Sequence, residues 1–167
     1  MSAIAIRSAT SADRAQLEAL IADCYGAIYP GWYDSDVLEE AMPQMLRIDA
    51  KLLDSGRYFA AEVDGTLAGC GGWSLNAPGR DDSVAATGHI RHFATRPDLM
   101  RQGVGGAILE RCVADARSAG VAGLQCFSSL PGEAFYARHR FKRIDTVTIM
   151  LGESAPFQAV LMRRELS

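Results

Sequence analysis

Residues 96–110 read "RPDLMRQGVGGAILE", with glycine at 103, 105 and 106 directly ahead of an apolar pattern of helical period. A glycine within a helix costs about 1 kcal/mol relative to alanine, so this clustering points to a need for bare backbone at the helix mouth. The first turn of a helix presents N–H groups without intrahelical partners, at the positive end of the macrodipole, and a phosphate is the ligand such a cradle takes. Two nucleotide-binding fingerprints built on this device do not fit: Gly-Lys-Ser/Thr is absent, and GxGxxG would require glycine where Ile108 stands. The alternative use of the same glycines is close packing of the helix against a neighbouring element.

Other chemistry is bounded by composition. Cys24, Cys70, Cys112 and Cys126 are widely spaced with no CxxC pair, which predicts buried thiols in a reducing, cytoplasmic compartment, with no metal site and no disulfide framework. A net charge of −3 gives no electrostatic reason for nucleic acid or an anionic membrane as partner. The opening "MSAIAIRSATSAD" lacks the basic flank and apolar run of an export signal, and no stretch approaches the roughly 20 apolar residues of a membrane span. A chain of 167 residues, 49% hydrophobic, is expected to form a single domain over residues 1–167.

The elements that would carry the glycine loop follow from periodicity. "AIAIRSA" alternates as a half-buried strand, and "TSADRAQLEALIADCYGAIY" shifts to helical period after a Ser/Asp capping signal. Pro30 and Gly31 break the pattern, and a second helix is expected from about Asp36 to Leu53, with Pro43 placed to kink it. "RYFAAEVDGTLAGCGGWSL" reads as a hairpin turning at Asp64-Gly65, "NAPGRDDSVAATG" as a polar loop, and "HIRHFAT" as a strand. The helix after the glycines should bury Ile108, Leu109, Cys112, Val113 and Ala116 and run to about Ala119. "VAGLQCFSS" is a short buried strand, "PGEAFYARH" a short helix opened by proline, and "FKRIDTVTIML" and "FQAVLMRREL" are closing strands. The order βααβββαβαββ predicts an α/β (α+β) fold, one mixed, mostly antiparallel sheet flanked by helices.

In that order, Met100-Arg101-Gln102-Gly103-Val104-Gly105 after a strand ending "ATRPD", with "AFYARHRF" about thirty residues on, resembles the GCN5-related N-acetyltransferase (GNAT) family. That family's pyrophosphate loop follows its fourth strand and reads Arg/Gln-x-x-Gly-x-Gly/Ala, and Met100 departs from it at the first position. The resemblance covers nearly the whole chain and implies the acyl-CoA N-acyltransferase fold. The activity it implies is direct acetyl transfer from acetyl-CoA to a primary amine, of a small molecule first and of a protein or peptide as the alternative. A member that binds acetyl-CoA as a sensor without transferring it is the non-enzymatic alternative.

The resemblance also implies roles for residues. Met100, Arg101, Gln102, Gly103, Val104, Gly105 and Gly106 would hold the pyrophosphate, and Phe93, Ala94 and Thr95 would offer main-chain groups to the pantetheine arm where the fourth strand parts from the fifth. A main-chain N–H there can polarise the thioester carbonyl. Tyr136 would donate a proton to the departing thiolate, with an aromatic packing pair of Phe135 and Tyr136 as the ordinary alternative. Ser129 stands where many members have Asn, and Arg140 replaces the usual glycine of the Tyr136 segment. For the base, His89 occupies the position of a glutamate in histone-modifying members, and His92 is the second candidate, on the opposite face by strand alternation. A water relay and purely structural histidines are the alternatives.

Further readings stay open in the sequence. Arg138, His139, Arg140, Lys142 and Arg143 form a basic run that either meets the CoA 3′-phosphate or is a solvated strand edge and helix end. The acidic "DSDVLEE" would suit a cationic acceptor or an ordinary exposed helix face. Tyr29, Trp32 and Tyr33 either line the acceptor pocket or plug the core. The final strand is free to pair within the monomer or across a homodimer.

Overall fold

The computed structural model describes residues 3–76 and 86–166. Strand β1 (Ile4–Ser8) leads through a short 3-10 turn into helix α1 (Arg14–Ile28). Asp13 fixes that junction: its Oδ2 accepts the Thr10 N–H at 2.9 Å, and its two oxygens take the Arg7 guanidinium at 2.9 Å each. The Arg7 hydrogen bonds pull the Asp13 carboxyl down to about 2.

The second helix is not the single one expected from Asp36 to Leu53. It divides into α2 (Ser35–Met45) and α3 (Ala50–Asp54). Pro43 sits inside α2, and the break after it lets Ile48 drop fully into the core while its N–H reaches Glu18 Oε2 of α1 at 2.9 Å. Asp49 then caps α3 through the Lys51 N–H at 2.9 Å.

Strands β2 (Tyr58–Val63) and β3 (Thr66–Ser74) meet at Asp64-Gly65. Both turn residues have positive φ, 53° and 78°, as a two-residue hairpin of type I′ requires. Of the expected polar loop that follows, residues 77–85 lie outside the described residues. Then come β4 (Thr87–Thr95), α4 (Val104–Ser118), β5 (Gly123–Ser129), α5 (Glu133–Arg138), β6 (Lys142–Leu151) and β7 (Ala155–Glu165). The expected stripe of α4 is buried in full, with Val104 added at its start.

One seven-stranded sheet runs β1-β2-β3-β4-β5-β7-β6, antiparallel except between β4 and β5. Strand alternation divides the interior into two layers. Phe59, Trp73, Ile108 and Leu109 pack under α4, while Tyr58, Leu17, Ile21 and Ile48 pack under α1 to α3. The final strand pairs within the monomer, with β5 on one side and β6 on the other, so the sheet's open edges are β1 and β6 and not β7.

Candidate active site

The site begins where two parallel strands stop pairing. β4 and β5 are in register only at Thr87↔Gly123, Gly88↔Leu124 and His89↔Gln125, and beyond His89 they separate. The divergence coincides with a bulge in β4. Cys70 faces Ala94 and Gly72 faces Arg91, so His92 and Phe93 together oppose one residue, Gly71. His92 adopts φ 47°, and its carbonyl accepts the Tyr58 hydroxyl at 2.7 Å, while the Phe93 carbonyl accepts the Tyr25 hydroxyl at 3.3 Å.

The bulge changes which side chains share a face. Phe93 turns to the α5 side, 6.2 Å between centroids from Tyr136 and 6.3 Å from Phe135. Arg91 turns to the α1–α3 side with His89, bonding Ser74 Oγ at 3.0 Å beside the Ser74↔His89 pair. His92 packs there too, its ring edge-on to Tyr58. Simple alternation placed His92 opposite His89; the extra residue in the bulge returns it to the same face.

A cleft of about 1950 Å³ follows the gap. Met100, Arg101, Gly103, Val104, Gly105 and Gly106 line one end, Phe93, Ala94 and Thr95 face Ser128 and Ser129 across its middle, and His89, Arg91 and His92 line the other. Gln102 is exposed and outside the lining. Met100, at the start of the loop, packs its side chain against the α1-side core.

Gly103 has φ 86° and is the residue from which α4 starts. The first helical bond runs from the Ala107 N–H to its carbonyl at 3.0 Å, and no side chain caps the end, which leaves the preceding N–H groups for a ligand. The packing use of the glycines is present as well. A Cβ on Gly105 would lie 3.1 Å from the Phe135 ring, and one on Gly106 would lie 2.9 Å from the His139 ring, so α5 docks on the helix mouth only because those positions are bare.

Tyr136 is buried among Phe93, Phe135 and Phe141, with ring centroids 5.1–6.2 Å apart. Among the described residues its hydroxyl has no protein partner, yet no buried side-chain oxygen or nitrogen lacks one, so the hydroxyl opens into the cleft. Burial pushes its pKa well above the ordinary phenol value, and the group carries its proton as a donor. Passing that proton to a thiolate is uphill for such a phenol unless the thiolate is itself desolvated. Ser129 and Tyr29 line the same cleft.

The two histidines are both held neutral. Burial, and then the Arg91 and Arg163 charges, lower the His89 pKa from its usual range. Burial and Arg91 take His92 down to about 4. His92 packs edge-on to Tyr58, and His89 has no protein hydrogen bond among the described residues; both line the cleft.

The remaining sequence candidates divide. Arg138 and His139 line the cleft beside Gly105 and Gly106, but Arg143 is spent on Glu133 through two 2.6 Å bonds, and Arg140 and Lys142 are exposed away from the lining. The acidic stretch does not border the cleft. Glu40 instead accepts the Glu153 and Ser154 N–H groups of the β6–β7 turn, at 3.1 and 2.9 Å, and α2 contributes Pro43, Gln44 and Met45 to the lining. Tyr29 lines the cleft, Tyr33 stacks on Phe157 at 4.2 Å and accepts the Leu130 N–H at 2.8 Å, and Trp32 lies 56% exposed outside it. Sequence reasoning missed Arg91, Tyr25 and Tyr58. Only the position of Arg91 between two candidate histidines could have marked it.

The sequence model of the family described as "Acetyltransferase (GNAT) family" matches residues 15–141. No curated protein sequence matches the chain. Among solved structures it is similar to the PaiA N-acetyltransferase of Thermoplasma acidophilum in complex with coenzyme A, with TM-score 0.74 at 18% identity over 98% of this chain and 99% of that one. It is also similar to a GCN5-related N-acetyltransferase of Rhodopseudomonas palustris, with TM-score 0.79 at 18% identity over 99% and 98%. A third is Ard1 of Thermoplasma volcanium, with TM-score 0.68 at 16% identity over 99% of each chain.

Proposed function

The chain belongs to the acetyltransferase (GNAT) family of acetyl-CoA-dependent N-acetyltransferases, and from that premise we propose that it transfers the acetyl group directly to the primary amine of a small molecule. The observation that carries this reading is the continuous cleft from the uncapped start of α4, along the unpaired side of Phe93, Ala94 and Thr95, to the Tyr136 hydroxyl and His89. Bound there, acetyl-CoA supplies an acyl thioester whose carbonyl carbon is open to an amine.

The chain's own residues do the rest. The N–H groups of Val104, Gly105 and Gly106 take the pyrophosphate, with Arg101 and Arg138 adding charge beside them. His89 accepts the proton that an ammonium must lose before it can attack, since an amine of pKa about 10 is almost wholly protonated at neutral pH. Tyr136 Oη hydrogen-bonds the leaving sulfur and delivers its proton there, and is reprotonated by the second proton that the acceptor nitrogen sheds as the amide forms. Met45, Ile149, Leu151 and Phe157 add apolar lining to the cleft, which supports the small-molecule reading.

We read residues 1–167 as one such domain, working in the cytoplasm, where four free buried thiols are at home. Among the described residues no helix is long and apolar enough to cross a membrane.

The test is thiol release from acetyl-CoA across a panel of small amines and N-terminal peptides, with the native chain beside Tyr136→Phe. Release with small amines that falls in the variant supports the proposal. Release only with peptides moves the acceptor to the protein class, and tight CoA binding with no release for any acceptor makes the chain a binding module.

A further inference from the structure

Arg91 is a half-buried guanidinium on the acceptor side of the cleft, two residues beyond His89 on the same strand face. Its hydrogen-bond partner is neutral, the Ser74 hydroxyl at 3.0 Å, and among the described residues it forms no ion pair. Among the described residues no anion touches this guanidinium, so an anionic group carried into the cleft would find a matched partner there.

The surroundings sharpen the match. Arg14, Arg47 and Arg91 line this end against a single acid, Asp49. Asp49 is engaged in capping α3 through the Lys51 N–H, and Arg14 is paired with Glu18 at 3.1 Å. Asp49 is near enough to Arg91 to act on it through space, but not to touch it. The other titratable groups here, His89 and His92, are neutral. A plain alkylammonium entering this field meets net repulsion, whereas an amine that brings its own carboxylate does not.

We infer that the acceptor is an amine bearing a carboxylate, in the manner of an α-amino acid, and that Arg91 binds that carboxylate while His89 faces the amine. The inference rests on the acyl-transfer reading for the identity of the amine. Residues i and i+2 of a strand lie about 6.6 Å apart along it with side chains on one face, which lets an imidazole and a guanidinium converge on adjacent groups of one small molecule. The planar fork of arginine matches a carboxylate through two parallel N–H bonds.

The test uses matched pairs differing only in the carboxylate: L-phenylalanine with phenethylamine, and L-leucine with isoamylamine, plus phosphoethanolamine as a phosphate-bearing amine. Affinity is measured by calorimetry with CoA present, which needs no turnover, and kcat/KM by thiol release. The expected result is that the carboxylate-bearing member binds about tenfold or more tightly, that this ratio collapses towards one in Arg91→Gln, and that Arg91→Lys keeps part of it. Equal or tighter binding of the decarboxylated member to the native protein overturns the inference, whether or not the variants fold. So does a ratio that survives in folded Arg91→Gln, and so does a preference for the phosphate-bearing amine. A carboxylate preference in binding with no thiol release from any amine would sink the transfer reading alone; release with decarboxylated amines only would sink this one alone.

Discussion

The Tyr58 hydroxyl reaches from β2 past β3 to the His92 carbonyl on β4, at 2.7 Å, and so holds the bulge at which β4 leaves β5. Tyr58 is fully buried, and burial keeps its phenol protonated as the donor. The bond links the core under α1 to the one backbone distortion that opens the cleft. Tyr58→Phe keeps the ring packing and leaves a buried carbonyl without its partner, at about 1–3 kcal/mol of stability. The expected outcome is a folded protein with a lowered thermal midpoint and a kcat reduced more than the midpoint loss alone explains, measured by thermal unfolding and thiol release on the same preparation.

Gly103 and Gly120 make a controlled pair. They flank α4 at its two ends, have φ 86° and 81°, and would each place a Cβ in open space. Alanine at either costs backbone strain of about 1–2 kcal/mol and nothing in packing. Of the two, only Gly103 lines the cleft. Gly103→Ala should therefore weaken CoA by about tenfold or more where Gly120→Ala leaves it unchanged, as read by calorimetric titration with CoA. Equal CoA affinities in the two variants would return the loop to a packing role.

Tyr136→Phe removes a hydroxyl that bonds no described protein residue, and it keeps the ring contacts with Phe93, Phe135 and Phe141. Stability should shift by less than about 0.5 kcal/mol. If Oη serves the leaving sulfur, kcat should drop by roughly 10²-fold with the CoA affinity nearly constant, since general acids contribute on the order of 10²–10⁴. An unchanged kcat would assign Tyr136 to packing.

Much of this arrangement was legible because local chemistry and global fold agree. The Asp64-Gly65 turn, the apolar stripe of α4 and the proline-opened α5 each follow from residue type at fixed spacing. The bulge was not legible. It depends on the Phe93 ring lying where a Cβ of Gly71 would stand, 2.6 Å away, and on a tyrosine hydroxyl from two strands off, so its causes are dispersed along the chain. Alternation therefore gave the wrong face to His92. The broken second helix escaped for the same reason, since the pull on Ile48 comes from Glu18 in a different helix. The acidic stretch was legible as charge but not as a target, because the turn that Glu40 binds lies more than a hundred residues on.

His92 gives the fold a pH dependence of known sign. Its folded pKa is depressed to about 4 from the usual 6.5. Between those values the unfolded chain binds a proton that the folded chain refuses, so stability rises with pH across the window and is complete above 6.5. As pH falls from 6.5 toward 4 the loss should approach about 3 kcal/mol. Urea midpoints measured at pH 7 and pH 4.5 should differ accordingly, and His92→Gln should flatten the difference even where it lowers both values.

His89 is expected to govern rate where His92 governs stability. Its pKa is lowered by burial first and by Arg91 next, so the imidazole remains a neutral acceptor at pH values where an exposed histidine is already charged. If it takes the proton from the acceptor amine, kcat in the ternary complex has an acid limb that falls below pH 6.5, and His89→Gln removes that limb while lowering the plateau by roughly 10²-fold. Because Arg91 supports the low value, Arg91→Gln should move the limb to higher pH, a shift that loss of carboxylate binding by itself cannot produce. A native profile whose acid limb sits above pH 6.5 and ignores both substitutions would transfer the base role to ordered water.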